Sequence, residues 1–475
     1  MKLPGKIESS LRSAMDQVPD ATGYLIAYSG GLDSTVLLHL SVLILLRERK
    51  KSVRAIHVNH GLSDNAGIWE DHCRRQVEKL GVPILVRRGN VIASGKGIEA
   101  AARKLRYAAF EQVLAPGEAL LQAHHLNDQV ETFFYRAIKG KAVGGLAGIP
   151  QTRDMVLADG EAVLFRPLLG VTRSSLEMYA ESRCLSWIDD ESNASLNFDR
   201  NYLRHEIIPR LQDRWPNLLS GVASSMAHCT RSEQILMEVA AQDLQSCRLS
   251  NSHPVMAWLG WDNTALRVSD VAGKSSARRD NLLRYWLREA GAPFCGMEAF
   301  YQLVEQVLPS RSDAKARVAW CTVDSGEWEI RKHDDGLYLG PALAIEREIS
   351  LALGESRMWQ GKKLGVQFPV SKNESQSSWQ FVLPKLPGVE RLLLTIRPVQ
   401  PGDKLKLPMR PRKKVMQWMK ESGIPYWLRP HVPGCYYKGE LVAVPFVGVD
   451  EAFLPTDSSN PLEGGLYELI WGNSL

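Results

Sequence analysis

Tyr24-Leu25-Ile26-Ala27-Tyr28-Ser29-Gly30-Gly31-Leu32-Asp33-Ser34-Thr35 is the stretch on which the fold turns. An apolar run ends in Ser-Gly-Gly, and Val36, Leu37, Leu40, Leu43 and Ile44 then recur at helical spacing. That order is strand, tight loop, helix. Two glycines tolerate positive φ and let backbone N–H groups turn inward, and a helix N-terminus adds partial positive charge. Ser29, Gly30, Gly31, Leu32, Asp33 and Ser34 therefore form an anion cradle of phosphate size. Asp33 is the odd member, because phosphate repels a carboxylate unless a hard dication such as Mg²⁺ bridges the two. No lysine follows at the Walker A position, and the spacing is not GxGxxG.

Further apolar runs lie at 53–58, 83–86 and 119–123, with helical patterns at 35–49, 67–80, 98–114 and 126–139 between and around them. Strands alternating with helices predict an α/β domain with a parallel sheet covered on both faces. Ligands of such sheets sit at the carboxyl ends of the strands, so the loops there carry the function. Asn59-His60 follows the second strand, as a seat for adenine or ribose or as a capped loop. Arg103 and Arg106 share a helix face; either one guanidinium points at a phosphate or both are solvated. After the fourth strand come His124, Asp128 and Glu131, the two acids three apart on one helix face. A histidine with two carboxylates at a strand end suits Mg²⁺ and the activation of an amine nucleophile. The spacing is not HExxH, which disfavours zinc. Lys139-Gly140-Lys141-Ala142 opens a basic, glycine-rich segment, either a lid near nucleotide or RNA or a plain connection. A helix near 173–184 begins Ser174-Ser175-Leu176-Glu177, a capping-box spacing. Arg200 and Arg204 are four apart on one helical face, placed to clamp a phosphate or the charge of an adenylate.

Pro209 and Pro216 close this domain, and a long helix is expected over 217–247. Helices near 276–290 and 297–308 follow, then strands near 316–323 and 328–338 joined at Asp324-Ser325-Gly326. Gly273-Lys274-Ser275 imitates the end of a Walker A loop, but Val268 stands where the first glycine belongs. Arg278 and Arg279 make the region basic, a solvated face by default and an RNA-backbone contact by preference. The stretch 345–392 is strand-like with polar breaks and is expected to hold a linker. Between Arg397 and Lys420 stand eight Lys or Arg against one acid, Asp403. Arg410, Arg412, Lys413 and Lys414 are its centre, and nearby Trp418, Tyr426 and Trp427 suggest RNA stacking. The expected domains are thus 1–215, catalytic; 216–345, mostly helical; and 380–475, a small basic α/β unit. Seven scattered cysteines without CxxC point to reduced thiols, and the N-terminus lacks a signal-peptide pattern, so a cytoplasmic protein is expected. The formal net charge of +5 is mild, so the location of charge matters more than its sum.

Ser29-Gly30-Gly31-x-Asp33-Ser34 resembles the signature of the PP-loop ATP pyrophosphatases, which cut ATP between its α and β phosphates. With His124-His125-Leu-x-Asp128-Gln-x-Glu131-Thr, Arg166-Pro167-Leu-Leu, Trp187-x-x-Asp190-x-Ser192-Asn193 and Arg200-Asn-x-Leu-Arg204-His, the set over residues 20–215 resembles the tRNA(Ile)-lysidine synthetase family. The resemblance implies a bacterial ligase that joins free L-lysine to C2 of the wobble cytidine in the CAU anticodon of tRNA(Ile). It implies ATP and Mg²⁺ as cofactors, with AMP and pyrophosphate released. It implies Ser29–Ser34 for the ATP phosphates, Asp33 and Asp128 for Mg²⁺, Asp128 and Glu131 for lysine, and Arg106 and Arg200 for the adenylated intermediate. His124, Asp33, Asp128 and Glu131 then complete the catalytic set, and Lys139, Lys141, Arg278, Arg279, Arg410, Arg412, Lys413 and Lys414 form the expected tRNA contacts. The chain departs from the family where Asn127-Asp128 replaces Asp-Asp and Lys139-Gly140-Lys141-Ala142 replaces Arg-Gly-Ser/Thr-Gly. No membrane partner is expected; a homodimer is left open. Other PP-loop tRNA enzymes, of thiolase type, and a non-catalytic RNA-binding relative are the alternatives.

Overall fold

β1 (Tyr24–Ala27) lies inside a six-stranded sheet because its residues are apolar on both faces and feed two cores at once. In this computed structural model the described residues are 3–16, 21–61, 65–91, 98–189, 195–249, 253–261, 265–311, 314–322, 326–352, 354–360, 362–367, 377–384, 393–454 and 464–472. The chain divides into two units, Met1–Ile235 and Leu236–Leu475. The boundary falls inside a helix, past the expected domain end at residue 215. Asp190, Ser192 and Asn193, the turn residues Asp324-Ser325 and the helix start at residue 97 lie outside the described residues.

The first unit runs α1 (Leu3–Met15), β1, α2 (Leu32–Ser41), β2 (Val53–Asn59), α3 (Ala66–Lys79), β3 (Ile84–Arg88), α4 (Ile98–Glu111), β4 (Ala119–Leu121) and α5 (Leu126–Ile138). Then come α6 (Val143–Leu146), β5 (Thr152–Leu157), β6 (Gly160–Phe165), α7 (Arg173–Ser182), α8 (Asp199–Tyr202), α9 (Ile208–Arg214) and α10 (Leu218–Cys247), the last crossing the boundary. The strand order is β3-β2-β1-β4-β6-β5. Neighbours pair in parallel except the edge hairpin β5–β6. Alternate side chains serve opposite faces: Ile26, Ala55 and Leu121 enter one core, and Leu25, Ile56 and Leu120 the other. Chain order reverses between β1 and β4, so the loops after these two strands open on the same crevice.

In the second unit α11 (Pro254–Trp258), β7 (Leu266–Arg267), α12 (Val268–Ala272), α13 (Ser276–Glu289) and α14 (Gly296–Gln302) precede β8 (Arg317–Thr322), β9 (Gly326–His333) and β10 (Gly336–Pro341). The single strand expected over 328–338 is in fact two, because Asp334 turns back at φ 50° and His333 pairs with Gly336. The expected linker region instead carries β11 (Ile349–Ala352), β12 (Ser356–Trp359), β13 (Lys362–Gln367) and β14 (Ser377–Pro384), although the polar break 371–375 lies outside the described residues. After them come β15 (Leu393–Pro398), β16 (Lys404–Leu405), β17 (Lys413–Lys414), α15 (Val415–Glu421), β18 (Pro433–Tyr437), β19 (Glu440–Val444), β20 (Gly448–Val449) and β21 (Gly464–Gly472). One apolar core gathers Val255, Met256, Trp258, Leu259, Trp261, Ala265, Tyr338 and side chains from Leu351 to Val449.

That core overturns the stacking role expected for Trp418 and Trp427. Trp418 is 1% exposed, its Nε1 donates to the Leu405 carbonyl, and Trp427 packs against Trp261 and Tyr338. Indole rings of this size stabilise a small unit most when removed from water. Among the described residues no helix is long and apolar enough to cross a membrane.

Candidate active site

The loop after β1 owes its shape to Gly30 at φ +90°. A Cβ there would lie 2.7 Å from Cys73 Sγ, so no other residue fits without a shift. Ser34 Oγ ties the loop together, accepting from the Ser29 amide at 3.2 Å and donating to the Gly31 carbonyl at 3.0 Å. Ile188 donates its amide to the Gly30 carbonyl at 2.9 Å and holds the loop from the far side. Gly31 caps α2 without a side-chain bond. The first N–H groups of a helix have no helical acceptor, so Leu32, Asp33 and Ser34 offer theirs toward the crevice.

The loop after β4 brings the second set. Asp128 Oδ2 accepts the His125 amide at 2.9 Å, which fixes the start of α5. His125 Nε2 then stands 3.5 Å from Asp33 Oδ2 and 3.6 Å from Asp128 Oδ2, with its ring 1% exposed. Sequence reasoning chose His124 for this place; the structure brings His125 between the two carboxylates. The His125-x-x-Asp128 spacing was the available signal. Burial drives the His125 pKa down, but the hydrogen bond to Asp33 and the charges of Asp128, Asp33 and Glu131 leave it raised. Burial pushes Asp33 up, yet the His125 bond and the charges of His125, Arg173 and Arg204 hold its carboxyl below the usual range. His124 is half-buried near Arg166, Arg103 and Arg200; desolvation first, then these charges, lower it to about 4 despite Asp128. It is a neutral imidazole at pH 7.

Glu131 is 2% exposed and is gripped by Arg204, at 2.6 Å from Nε and 2.9 Å from Nη2. The same Nη2 reaches Asp128 Oδ1 at 3.3 Å. Burial, first, with the charge of Asp128, leaves the Glu131 pKa raised despite Arg204. Arg200 donates to Thr132 Oγ1 at 2.8 Å on the same helix. Of the Arg103–Arg106 pair, Arg103 lies near His124 and both are exposed. Arg173, which the sequence did not single out, approaches Asp33 at 3.7 Å. The Asn127 departure has a structural use, since its Oδ1 accepts the Arg173 amide at 3.0 Å and joins α5 to α7.

The basic candidates divide by partner. Lys139 lies 3.5 Å from Asp199, and Lys141 is exposed. Arg278 is committed to the buried Asp243 at 2.6 Å, alongside Lys274 at 2.9 Å, and Arg279 pairs with Asp280. Lys413 pairs with Glu421 at 2.8 Å, while Arg410, Arg412 and Lys414 are exposed.

Asp33 Oδ1 is buried without a hydrogen-bond partner. An orphaned acidic oxygen beside free helix N–H groups fits a phosphate chain carrying Mg²⁺, which takes one or two carboxylates and finishes its shell with phosphate and water oxygens. Among the described residues no group of three His, Cys, Asp or Glu could hold a metal alone. The carboxylates facing each other across His125 are Asp33 and Asp128.

A parallel sheet that reverses at this glycine loop defines a PP-loop nucleotide-binding domain, and residues 4–211 match the PP-loop domain family. Residues 266–338 match the TilS substrate binding domain and 394–463 the TilS substrate C-terminal domain. The tRNA(Ile)-lysidine synthase of Pseudomonas aeruginosa is 35% identical over 98% of this chain and 97% of its own length. That of Serratia proteamaculans is 36% identical over 92% and 94%. The chain belongs to the tRNA(Ile)-lysidine synthase family. Among solved structures, the U34-tRNA thiolase NcsA from Methanococcus maripaludis aligns at TM-score 0.39 with 15% identity, over 48% of this chain and 79% of that one.

Proposed function

We propose that this chain makes lysidine, joining free L-lysine to C2 of the wobble cytidine of a CAU-anticodon tRNA(Ile). The cytidine O2 attacks the α phosphorus of ATP, and pyrophosphate leaves. An amine of lysine then attacks C2, and the former O2 departs with AMP. The N–H groups of Leu32–Ser34 receive the phosphates, where they stabilise charge that grows as the P–O bond breaks. Asp33 and Asp128 would hold Mg²⁺, which supplies Lewis acidity to the phosphate oxygens.

His125 stands between those carboxylates, and its bond and charge help hold Asp33 below the usual carboxylate range. Asp128 is the acid most open to a substrate amine, because Glu131 is spent on Arg204. Glu131 therefore acts on lysine through the orientation of Arg204 and Asp128. His124, half-buried and neutral, is the unprotonated imidazole near the site, a weak proton acceptor at its lowered pKa. The observation that carries this reading is the orphaned Asp33 oxygen in the first turn of α2, behind a glycine loop at positive φ.

The test is mass spectrometry of the anticodon fragment after incubation with ATP and lysine. The expected product gains one lysine less one water. An unmodified cytidine with normal tRNA and ATP binding would sink the proposal.

A further inference from the structure

Arg173 has no part in the chemistry above, yet its guanidinium is held loosely beside the glycine loop. It is the first residue of α7, and its backbone is fixed. The Arg173 amide donates to Asn127 Oδ1 at 3.0 Å, the Leu126 amide donates to the Val171 carbonyl at 2.8 Å, and Leu176, Tyr179 and Ala180 are buried. The side chain itself is 37% exposed. Its Nε donates to Glu177 Oε1 at 3.1 Å. Its Nη1 stands 3.7 Å from Asp33 Oδ2, an ion pair too long to be a hydrogen bond. Among the described residues neither terminal nitrogen of Arg173 makes a hydrogen bond.

The other cations of the crevice are engaged elsewhere. His125 lies buried between Asp33 and Asp128, Arg204 bonds Glu131 twice, and Arg200 donates to Thr132. Three helices also begin here: Asp33 lies in the first turn of α2, Asp128 in that of α5, and Arg173 opens α7. Their N-terminal ends add partial positive charge around the same carboxylates. A guanidinium at ion-pair distance from a carboxylate but not bonded to it keeps its planar fork for a bidentate partner, and phosphate has the matching geometry.

We propose that Arg173 is a further catalytic residue: with ATP on the Leu32–Ser34 amides, its guanidinium turns from Asp33 onto the terminal phosphates and stays with them as pyrophosphate leaves. The proposal rests on the reading that ATP is cleaved between its α and β phosphates. In that step the bond from cytidine O2 to the α phosphorus forms. The bond from the α phosphorus to the bridging oxygen breaks, and that oxygen carries the electron pair into pyrophosphate. A guanidinium already in place stabilises the charge that grows there, and Arg173 keeps its proton throughout.

The test uses the full chain and a fluorescent ATP analogue, displaced by pyrophosphate or by AMP in the presence of Mg²⁺. Arg173→Gln should raise the pyrophosphate displacement constant about tenfold or more, the loss of a charge-assisted bond, and leave that of AMP within about twofold. Its kcat for lysidine formation should fall about a hundredfold, as on removal of a preorganised donor. Arg173→Lys, which keeps the charge, should recover most of both. Glu177→Gln breaks the same exposed ion pair and should change pyrophosphate displacement by less than about twofold, which separates a phosphate contact from an aid to α7. Pyrophosphate and AMP constants that shift together overturn the role, as does a pyrophosphate constant or a kcat that does not move. A selective pyrophosphate shift in a chain that makes no lysidine would leave the phosphate contact standing and remove the lysidine reading. A wild-type chain that does not bind the ATP analogue removes the nucleotide reading and the role of Arg173 with it.

Discussion

Arg204 compensates a charge that cannot otherwise stay where it is. Glu131 is buried, and the two guanidinium bonds at 2.6 and 2.9 Å are its counter-charge. Breaking a buried pair from one side costs about 3–5 kcal/mol. Arg204→Gln should fall near the low end, about 3 kcal/mol, because burial already favours protonated Glu131. The variant should regain stability as pH falls, and Glu131→Gln in the same background should restore most of the loss, both read from urea melts. His124 gives a second pH signature. Its folded pKa near 4 lies below the ordinary 6.5, so the unfolded chain binds the proton first. The stability from burying the neutral ring is complete above pH 6.5 and drains away as pH falls toward 4. His124→Asn removes that dependence, so the stability gap between wild type and variant should narrow steadily from pH 7 to pH 5.

At the scale of elements, α7 is capped by Thr172, whose Oγ1 accepts the Ser175 amide at 3.3 Å. The capping box read at Ser174–Glu177 is therefore displaced by two residues, and Glu177 bonds Arg173 instead. Thr172→Ala should cost about 1 kcal/mol in a denaturant titration, and Ser174→Ala much less. The central strands β1 and β4 were legible nearly to the residue, because a strand buried on both faces must be a continuous apolar run. The edge strand β5 was not: five of its six residues are not fully buried, so its sequence is polar and carries no pattern. The candidate site shows the same limit. Asp33, Asp128 and Glu131 could be read from spacing alone. The choice between His124 and His125 depends on how the chain enters α5, and the Arg204–Glu131 bond spans 73 residues. Neither is written in local periodicity.

Over the whole molecule, charge counting was blind to partners far along the chain: Arg278 and Asp243 are 35 residues apart, and their pairing is invisible to composition. The division of the last half is likewise a matter of packing. Trp261 meets Trp427, and Tyr338 belongs to the same core as Leu394 and Val442. Removing residues 380–475 should therefore unravel residues 255–266 as well, rather than cut away a self-contained piece. Limited proteolysis checks this, with new cleavage expected around Trp258 and Trp261; protection there would argue against the shared core. β21 pairs with β13 on one side and β14 on the other. It is the middle of its sheet and the last of the described elements to be made. A nascent chain thus has both neighbours of β21, β13 and β14, in hand before the strand that joins them leaves the ribosome. Until β21 is made, the edges of β13 and β14 that it will join stay open to chaperones or to a neighbouring copy, whereas the nucleotide-binding half can already have closed.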